Sequence, residues 1–401
     1  MAELTHQSFR EAFPYFKRED ALCYLDNAAT TQKPGVVIAR MTDYWSSGVA
    51  NIHRSSHLLA ERATEAFEQS RTDIARFINA DSKDIIFTKG STESINLLSY
   101  ALSSEFKPDD AIIISAQEHH ANILPWRRLC EEQELELRVW QSDGLELDTQ
   151  ALIPLLEGAR LVCINHICNS TGAVNDLSSI IELAHGAGCQ VMVDAAQSIA
   201  HIPIDVKALD CDFLVFSGHK CFGPEGTGVL FCPKALADSL PPWQLGGEMV
   251  ETVSFDRVSF QESPLRFEAG TPNIAGVLGL AEALRFIASY DRAALHQHEQ
   301  SLVRLAHERL SRLPGFKLYS PSSLDSSILS FGFEGIHSAD MTALLDAQSI
   351  AIRAGMLCAM PWVKQLSGNS GILRLSVAPY NLAREIEQAV EAISEALEIL
   401  G

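Results

Sequence analysis

The residues with the clearest chemical potential follow apolar runs. Phe213-Leu214-Val215-Phe216 empties into Ser217-Gly218-His219-Lys220, which presents an amine in a polar turn ahead of Gly223. Val191-Met192-Val193 ends in Asp194-Ala195-Ala196-Gln197, a carboxylate followed by an amide. Ile85-Ile86-Phe87 leads through Thr88-Lys89-Gly90 into Ser91-Thr92-Glu93, where a helix start would offer N–H groups and two hydroxyls to an anion. Ala111-Ile112-Ile113-Ile114 precedes Glu118-His119-His120. A Schiff-base amine, an anion site, a carboxylate and an imidazole are the parts that pyridoxal phosphate (PLP) would use. Asp194 would keep the pyridine nitrogen protonated, Gln197 would donate to the phenolic oxygen, and an imidazole would stack on the ring and shuttle protons. Each residue also has a plainer reading: Lys220 as a solvated loop charge, Ser91 and Thr92 as N-caps, Asp194 as a metal ligand, cap or charge partner.

Two more residues stand out against their surroundings. Cys358 lies in Arg353-Ala354-Gly355-Met356-Leu357-Cys358-Ala359-Met360-Pro361, a glycine-to-proline loop. A loop thiol is a nucleophile when it is exposed and its thiolate is favoured, a task for Arg353 or an active-site histidine; otherwise it is inert. Arg374 breaks the run Leu373-Arg374-Leu375 and, facing inward, needs an anion, either a substrate carboxylate or an internal salt-bridge partner. No metal centre is expected, because the adjacent His119 and His120 diverge in a helix or strand and no other His or Cys cluster completes a ligand set. The chain contains no G-x-x-x-x-G-K-[ST] sequence, which sets aside a nucleotide P-loop.

These residues require a scaffold that gathers strand ends. Between about 84 and 232, apolar runs at 85–88, 111–114, 137–140, 161–164, 191–193, 213–216 and 228–231 alternate with helix-length segments. Runs that are apolar throughout predict a mostly parallel seven-stranded sheet covered on both faces, with ligands at the carboxyl ends of its strands. Helices are expected over 34–47, 56–78, 276–312 and 383–400, and short strands near 316–319, 327–333 and 371–376. Ile386, Val390, Ile393, Leu397 and Leu400 mark one apolar face of the last helix, expected to pack one domain on another. The fold class is α/β, with a large domain over 21–274 and a smaller α+β C-terminal domain over 275–401, joined by residues 1–20.

The chain has 401 residues, 47% hydrophobic and 20% charged, as globular proteins do. Its net charge of −20 argues against nucleic acid or an anionic membrane as a partner through the bulk surface, and for a small molecule or a protein. The start Met1 to Gln7 has no basic or apolar leader and no run is long enough to span a bilayer, so a cytoplasmic protein is expected. Nine cysteines without a CxxC pair suit reduced core residues.

Together the motifs resemble those of cysteine desulfurases. Asp26-Asn27-Ala28-Ala29-Thr30, Asn51-Ile52-His53-Arg54, Gly90-Ser91-Thr92-Glu93, Glu118-His119-His120-Ala121-Asn122, Val193-Asp194-Ala195-Ala196-Gln197, Ser217-Gly218-His219-Lys220, Glu268-Ala269-Gly270-Thr271-Pro272-Asn273 and Arg353-Ala354-Gly355 with Cys358 occur in the order seen in that family, in its SufS and CsdA group. The resemblance runs from about residue 8 to the C-terminus. It implies a homodimeric PLP enzyme of the fold type I, aspartate-aminotransferase-like class that converts L-cysteine to L-alanine and an enzyme persulfide, then passes sulfur to a small SufE- or CsdE-like acceptor protein. By resemblance, Lys220 carries the cofactor and moves protons, Asp194 pairs with the pyridine nitrogen, Gln197 contacts the phenolic oxygen and His119 stacks on the ring. Ser91, Thr92, Ser217 and His219 hold the phosphate, joined by Thr271 of the other subunit. Asn169 and Arg374, with Arg353 and His53, bind substrate, and Cys358 attacks its sulfur.

Some positions depart from the family pattern. Cys168-Asn169-Ser170-Thr171-Gly172 stands where Ser-Asn-Val-x-Gly is usual, and Leu357 stands where a histidine usually precedes the reactive cysteine. Cysteine sulfinate and selenocysteine remain alternative substrates. Two other readings compete: another PLP enzyme of this fold (an aminotransferase, epimerase or kynureninase-like hydrolase), which would have no use for Cys358, and a catalytically weak sulfur-relay protein.

Overall fold

The apolar runs form one sheet. In the computed structural model, which describes residues 6–54, 56–142 and 144–401, its strands are β1 (Ile85–Thr88), β2 (Ala111–Ser115), β3 (Glu136–Trp140), β4 (Ala159–Asn165), β5 (Gln190–Asp194), β6 (Phe213–Ser217) and β7 (Gly228–Phe231). They pair in the order β1-β7-β6-β5-β4-β2-β3, parallel throughout except that β7 runs antiparallel to both its neighbours. Successive side chains feed two cores: Ile85, Phe87, Val193 and Leu214 enter one, and Ile86, Met192, Phe213 and Val215 the other. Both faces are covered, which is why the strands read as unbroken apolar runs.

A second sheet is antiparallel. Its strands are β8 (Phe316–Leu318), β9 (Ile328–Phe333), β10 (Arg353–Gly355) and β11 (Ile372–Ser376), in the order β8-β9-β11-β10. The helices Arg292–Leu310, Ser338–Ala347 and Ala383–Leu400 contribute Leu302, Leu345, Ile386 and Ile393 to a separate core with Leu329, Phe331 and Leu373. The apolar face of the last helix thus covers its own sheet; it is not a face between domains.

The expected helix over 276–312 is two helices, Ile274–Ala288 and Arg292–Leu310. Between them Asp291 caps the second, its carboxylate accepting from the Ala293 and Ala294 N–H groups. The first helix lies in the large core with helices Gly35–Ser47 and Leu58–Phe77; the second begins in that core with Leu295 and passes into the small one from Leu302 on. Packing therefore changes between Leu295 and Leu302, later in the chain than a boundary at 275. Of the N-terminal segment, residues 1–5 lie outside the described residues; Phe9 and Phe13 meet Phe222 and Phe286, and Phe13 also meets Tyr380. Cys23–Tyr24 pairs in parallel with Ile350–Ala351, bringing Asp26 beside β11. No helix among the described residues is long and apolar enough to cross a membrane.

Candidate active site

The carboxyl ends of β1, β2, β4, β5 and β6 open on one cleft of about 430 Å³, completed from the small sheet by Arg353, Arg374, Leu357 and Cys358. At one end, a Cβ on Gly228 of β7 would run into the backbone of Gly90, so only glycine lets the turn after β1 lie this close to β7. The turn thereby brings Ser91 to the end of β6: the Ser91 N–H donates to Ser217 Oγ at 2.9 Å, and the two hydroxyls stand 2.8 Å apart. Apart from Ser217 on the Ser91 N–H, no side chain caps the helix Ser91–Ala101, so its positive end is left for an anion, with Thr92 and His219 also lining the cleft. Burial first, then the charges of Lys220 and Lys33, push the His219 imidazole down to about 4, which leaves it neutral at pH 7.

Deeper in the cleft, Lys220 ends the 3-10 turn Gly218–Lys220. Burial lowers its ammonium to about 8, against the attraction of Asp194 and with the repulsion of Arg374. About a tenth of the amine is then neutral at pH 7 and about half at pH 8, and able to act as nucleophile or base. Lys220 makes no hydrogen bond or ion pair among the described residues. Asp194 is buried at the end of β5 and accepts only the Ala196 N–H, at 2.9 Å. Burial raises its carboxyl, while that N–H and Lys220 lower it. A buried carboxylate so sparsely partnered calls for a cationic N–H donor, and a protonated pyridine nitrogen is one. His119 is lowered to about 4 by burial and by Lys220; its Nδ1 accepts from the Ala121 N–H at 3.0 Å, placing the proton of the neutral ring on Nε2. The Gln197 amide donates once to the Ala28 carbonyl at 2.8 Å and keeps a second N–H. An uncapped helix end, a lone buried carboxylate, a neutral imidazole and an unengaged amine fit PLP.

The other end of the cleft carries excess positive charge. Arg353 and Arg374 are directly paired across β10 and β11, and the single carboxylate of Asp26 serves both, at 2.9 Å and 3.0 Å. The internal salt bridge considered for Arg374 is therefore present. Its Nη1 donates to the Asn169 carbonyl at 2.8 Å, but Nε is buried with no partner. Two guanidiniums on one carboxylate leave a site for a further anion. Cys358 is exposed at this end, while the other eight cysteines are buried; burial pushes the Cys211 and Cys221 thiols up to about 12 and that of Cys130 to about 11.

A family model for class-V aminotransferases matches residues 23–389. The cysteine desulfurase CsdA of Escherichia coli is 41% identical over 396 residues, covering 98% of each chain, and a probable cysteine desulfurase of Vibrio cholerae is 42% identical over 410 residues, covering 99% of this chain and 100% of its own. The chain belongs to the class-V aminotransferase family, among its cysteine desulfurases. Its fold agrees with a crystal structure of the Escherichia coli CsdA at a TM-score of 0.92 and 40% identity, covering 99% of both chains. It agrees with an apo cysteine desulfurase of Thermococcus onnurineus at 0.94 and 36%, covering 98% of both. The fold is accordingly that of fold type I PLP enzymes, and PLP is the cofactor.

In this desulfurase the cleft brings together Lys220, Asp194, Gln197, His119, Ser91, Thr92, Ser217, His219, Asn169, Arg353, Arg374 and Cys358. Thr271 and His53 are not among them. Thr271 lines a separate groove with Lys89 and Gln244, and His53 Nε2 lies 2.9 Å from Glu68. Glu68 meets Arg71, which in turn pairs with Glu268, at the start of the segment bearing Thr271. Sequence reasoning passed over Asp26, although it opens a quoted motif, and gave Asn169 only a substrate role, whereas its amide donates to the Leu357 carbonyl at 2.7 Å. It also passed over Glu118, fully buried and accepting from Ser115, Asn122 and Asn165. An acidic residue two or three positions after a strand was the available signal.

Proposed function

We propose that this PLP-dependent cysteine desulfurase takes sulfur from L-cysteine onto Cys358, leaving L-alanine, and passes it to a small acceptor protein of the SufE or CsdE kind. The observation that carries the reading is that Cys358, the exposed thiol among nine, faces the cleft that holds Lys220. When bound, PLP supplies an electron sink for the α-carbon. Ser91, Thr92, Ser217 and His219 hold its phosphate at the uncapped helix end, Asp194 takes its ring nitrogen, Gln197 donates to its phenolic oxygen, and the neutral His119 lies against its ring. Lys220, lowered to about 8, takes the α-proton as a free amine and returns it to the alanine carbon. Arg374, with Arg353 and Asn169 beside it, receives the substrate carboxylate. The Cys358 thiolate attacks the substrate sulfur: an S–S bond forms, the C–S bond breaks, and its electron pair goes to the substrate carbon.

The enzyme acts as a homodimer in which Thr271 completes the phosphate site of the second copy and His53 lies toward that copy's substrate. The place of both outside the chain's own cleft supports this reading. The surface position of Cys358 suits hand-over to an acceptor protein, and eight buried free thiols suit the reducing cytoplasm. Selenocysteine and cysteine sulfinate share the amino-acid frame and are the substrates to compare.

The test is incubation with L-cysteine and a reductant, reading alanine and sulfide together; equal release is expected. Cys358→Ser should keep the visible absorbance of bound PLP and form no persulfide. Full activity in that variant would place the sulfur acceptor elsewhere.

A further inference from the structure

The loop that carries Cys358 is held from outside as well as by its own residues. Leu357 and Cys358 both adopt left-handed backbone, at φ 49° and 55°, a conformation that non-glycine residues keep only where surroundings enforce it. The helix Met360–Ser367 starts directly after, and Ala359 at its N-cap has no side chain able to cap it. The Met360 N–H, one of the orphan donors of a helix start, donates instead to Nε2 of His120 at 3.0 Å. The N–H of the same histidine donates to the Cys358 carbonyl at 2.7 Å. One residue of the turn after β2 therefore grips the chain at the reactive cysteine and again two positions later. Asn169 adds its bond to the Leu357 carbonyl, and the Leu357 side chain is buried with Ala359, Val363 and Ile372. The bond uses Nε2 as its acceptor, which places the ring's N–H on Nδ1.

We propose that His120 is the positioning residue of Cys358: its ring caps the helix Met360–Ser367 and so sets where the thiol stands over the cleft. His119 works on the cofactor side and His120 on the sulfur side, so adjacent residues of one turn serve both halves of the reaction. The inference rests on the reading of Cys358 as the sulfur acceptor.

The experiment compares holoenzyme of the wild type with His120→Ala and with His120→Gln, whose side-chain carbonyl can still accept. Hydrogen–deuterium exchange of the segment 356–364 reads the clamp, steady-state kinetics with L-cysteine reads its effect, and the PLP absorbance reads the cofactor side. Loss of one hydrogen bond corresponds to about tenfold. In His120→Ala, exchange of the segment should quicken about tenfold, kcat should fall by a similar factor, and KM and the PLP spectrum should stay unchanged; His120→Gln should restore exchange and kcat together. Unchanged exchange in His120→Ala overturns the clamp, and faster exchange with wild-type kcat overturns the positioning role. An altered PLP spectrum overturns it too, since His120 would then act through the cofactor. Activity retained in Cys358→Ser would remove the underlying reading, a result distinguishable because it leaves the exchange data untouched.

Discussion

The Lys220 turn and the Cys358 loop face one cleft from opposite kinds of support. The turn follows β6, every residue of which is buried, between strands on both sides. Gly218 donates to Thr227 and accepts from Cys221 and Gly223, and its missing Cβ leaves room for Thr227. The Cys358 loop follows a three-residue strand and rests on a small apolar cluster and a few hydrogen bonds from the large sheet's turns. A group that must return a proton to one carbon gains from rigid placement, whereas one that must accept sulfur and then release it to another protein gains from an edge that can move.

The largest expected effect comes from the rigid side. Lys220→Ala removes the base and the anchoring amine, so alanine formation should fall on the order of 10³-fold or more and the visible absorbance of bound PLP should vanish, while circular dichroism stays as in the wild type. An unchanged spectrum would refute the assignment of Lys220. On the cysteine side, Leu357→Ala empties the apolar anchor of the Cys358 loop without touching the Lys220 turn. It should cost about 2 kcal/mol of stability, the low end for a buried leucine because the cluster is small. Persulfide formation should slow while the PLP spectrum is kept; a spectrum that changes with it would show that the two regions are not supported separately.

These two regions differ in how far the sequence disclosed them. The seven strands and the residues at their ends were legible, because a sheet buried on both faces writes itself as unbroken apolar runs and reactive groups collect where the runs stop. Cys358 was visible only as a loop thiol, and its supports were not. The bond from Arg353 to Asp26 joins residues 327 positions apart, and His120 reaches Met360 across 240, so neither has a local pattern to betray it. Leu357 appeared as a missing histidine; in the fold it is an apolar anchor. The helix break at 289–291 escaped notice because the apolar period runs on across it, Ile287 and Leu295 both belonging to the large core.

Glu118 anchors the turn that carries His119 and His120, and its titration gives the smallest and most specific test. It directly precedes His119 and His120, and its buried carboxyl accepts from Ser115 at 2.6 Å, Asn122 at 2.7 Å and the Asn165 N–H at 3.0 Å. Burial raises it from 4.5 to about 7, with Asp194 adding to the rise and those donors opposing it. A carboxyl that binds its proton more tightly when folded contributes stability that is complete below about 4.5 and is lost as pH climbs through about 7. Glu118→Gln has no such titration. The stability of the wild type relative to this variant, from urea unfolding at steps between pH 5 and 8, should therefore decline with rising pH, by up to about 3 kcal/mol. A constant difference would mean that Glu118 stays ionised across this range, and its turn would then be held by a charged group. With the expected decline, the turn that carries His120 loosens as pH rises, so the protection factors of the segment 356–364, corrected for the intrinsic rise of amide exchange with pH, should fall over the same range in the wild type and not in Glu118→Gln.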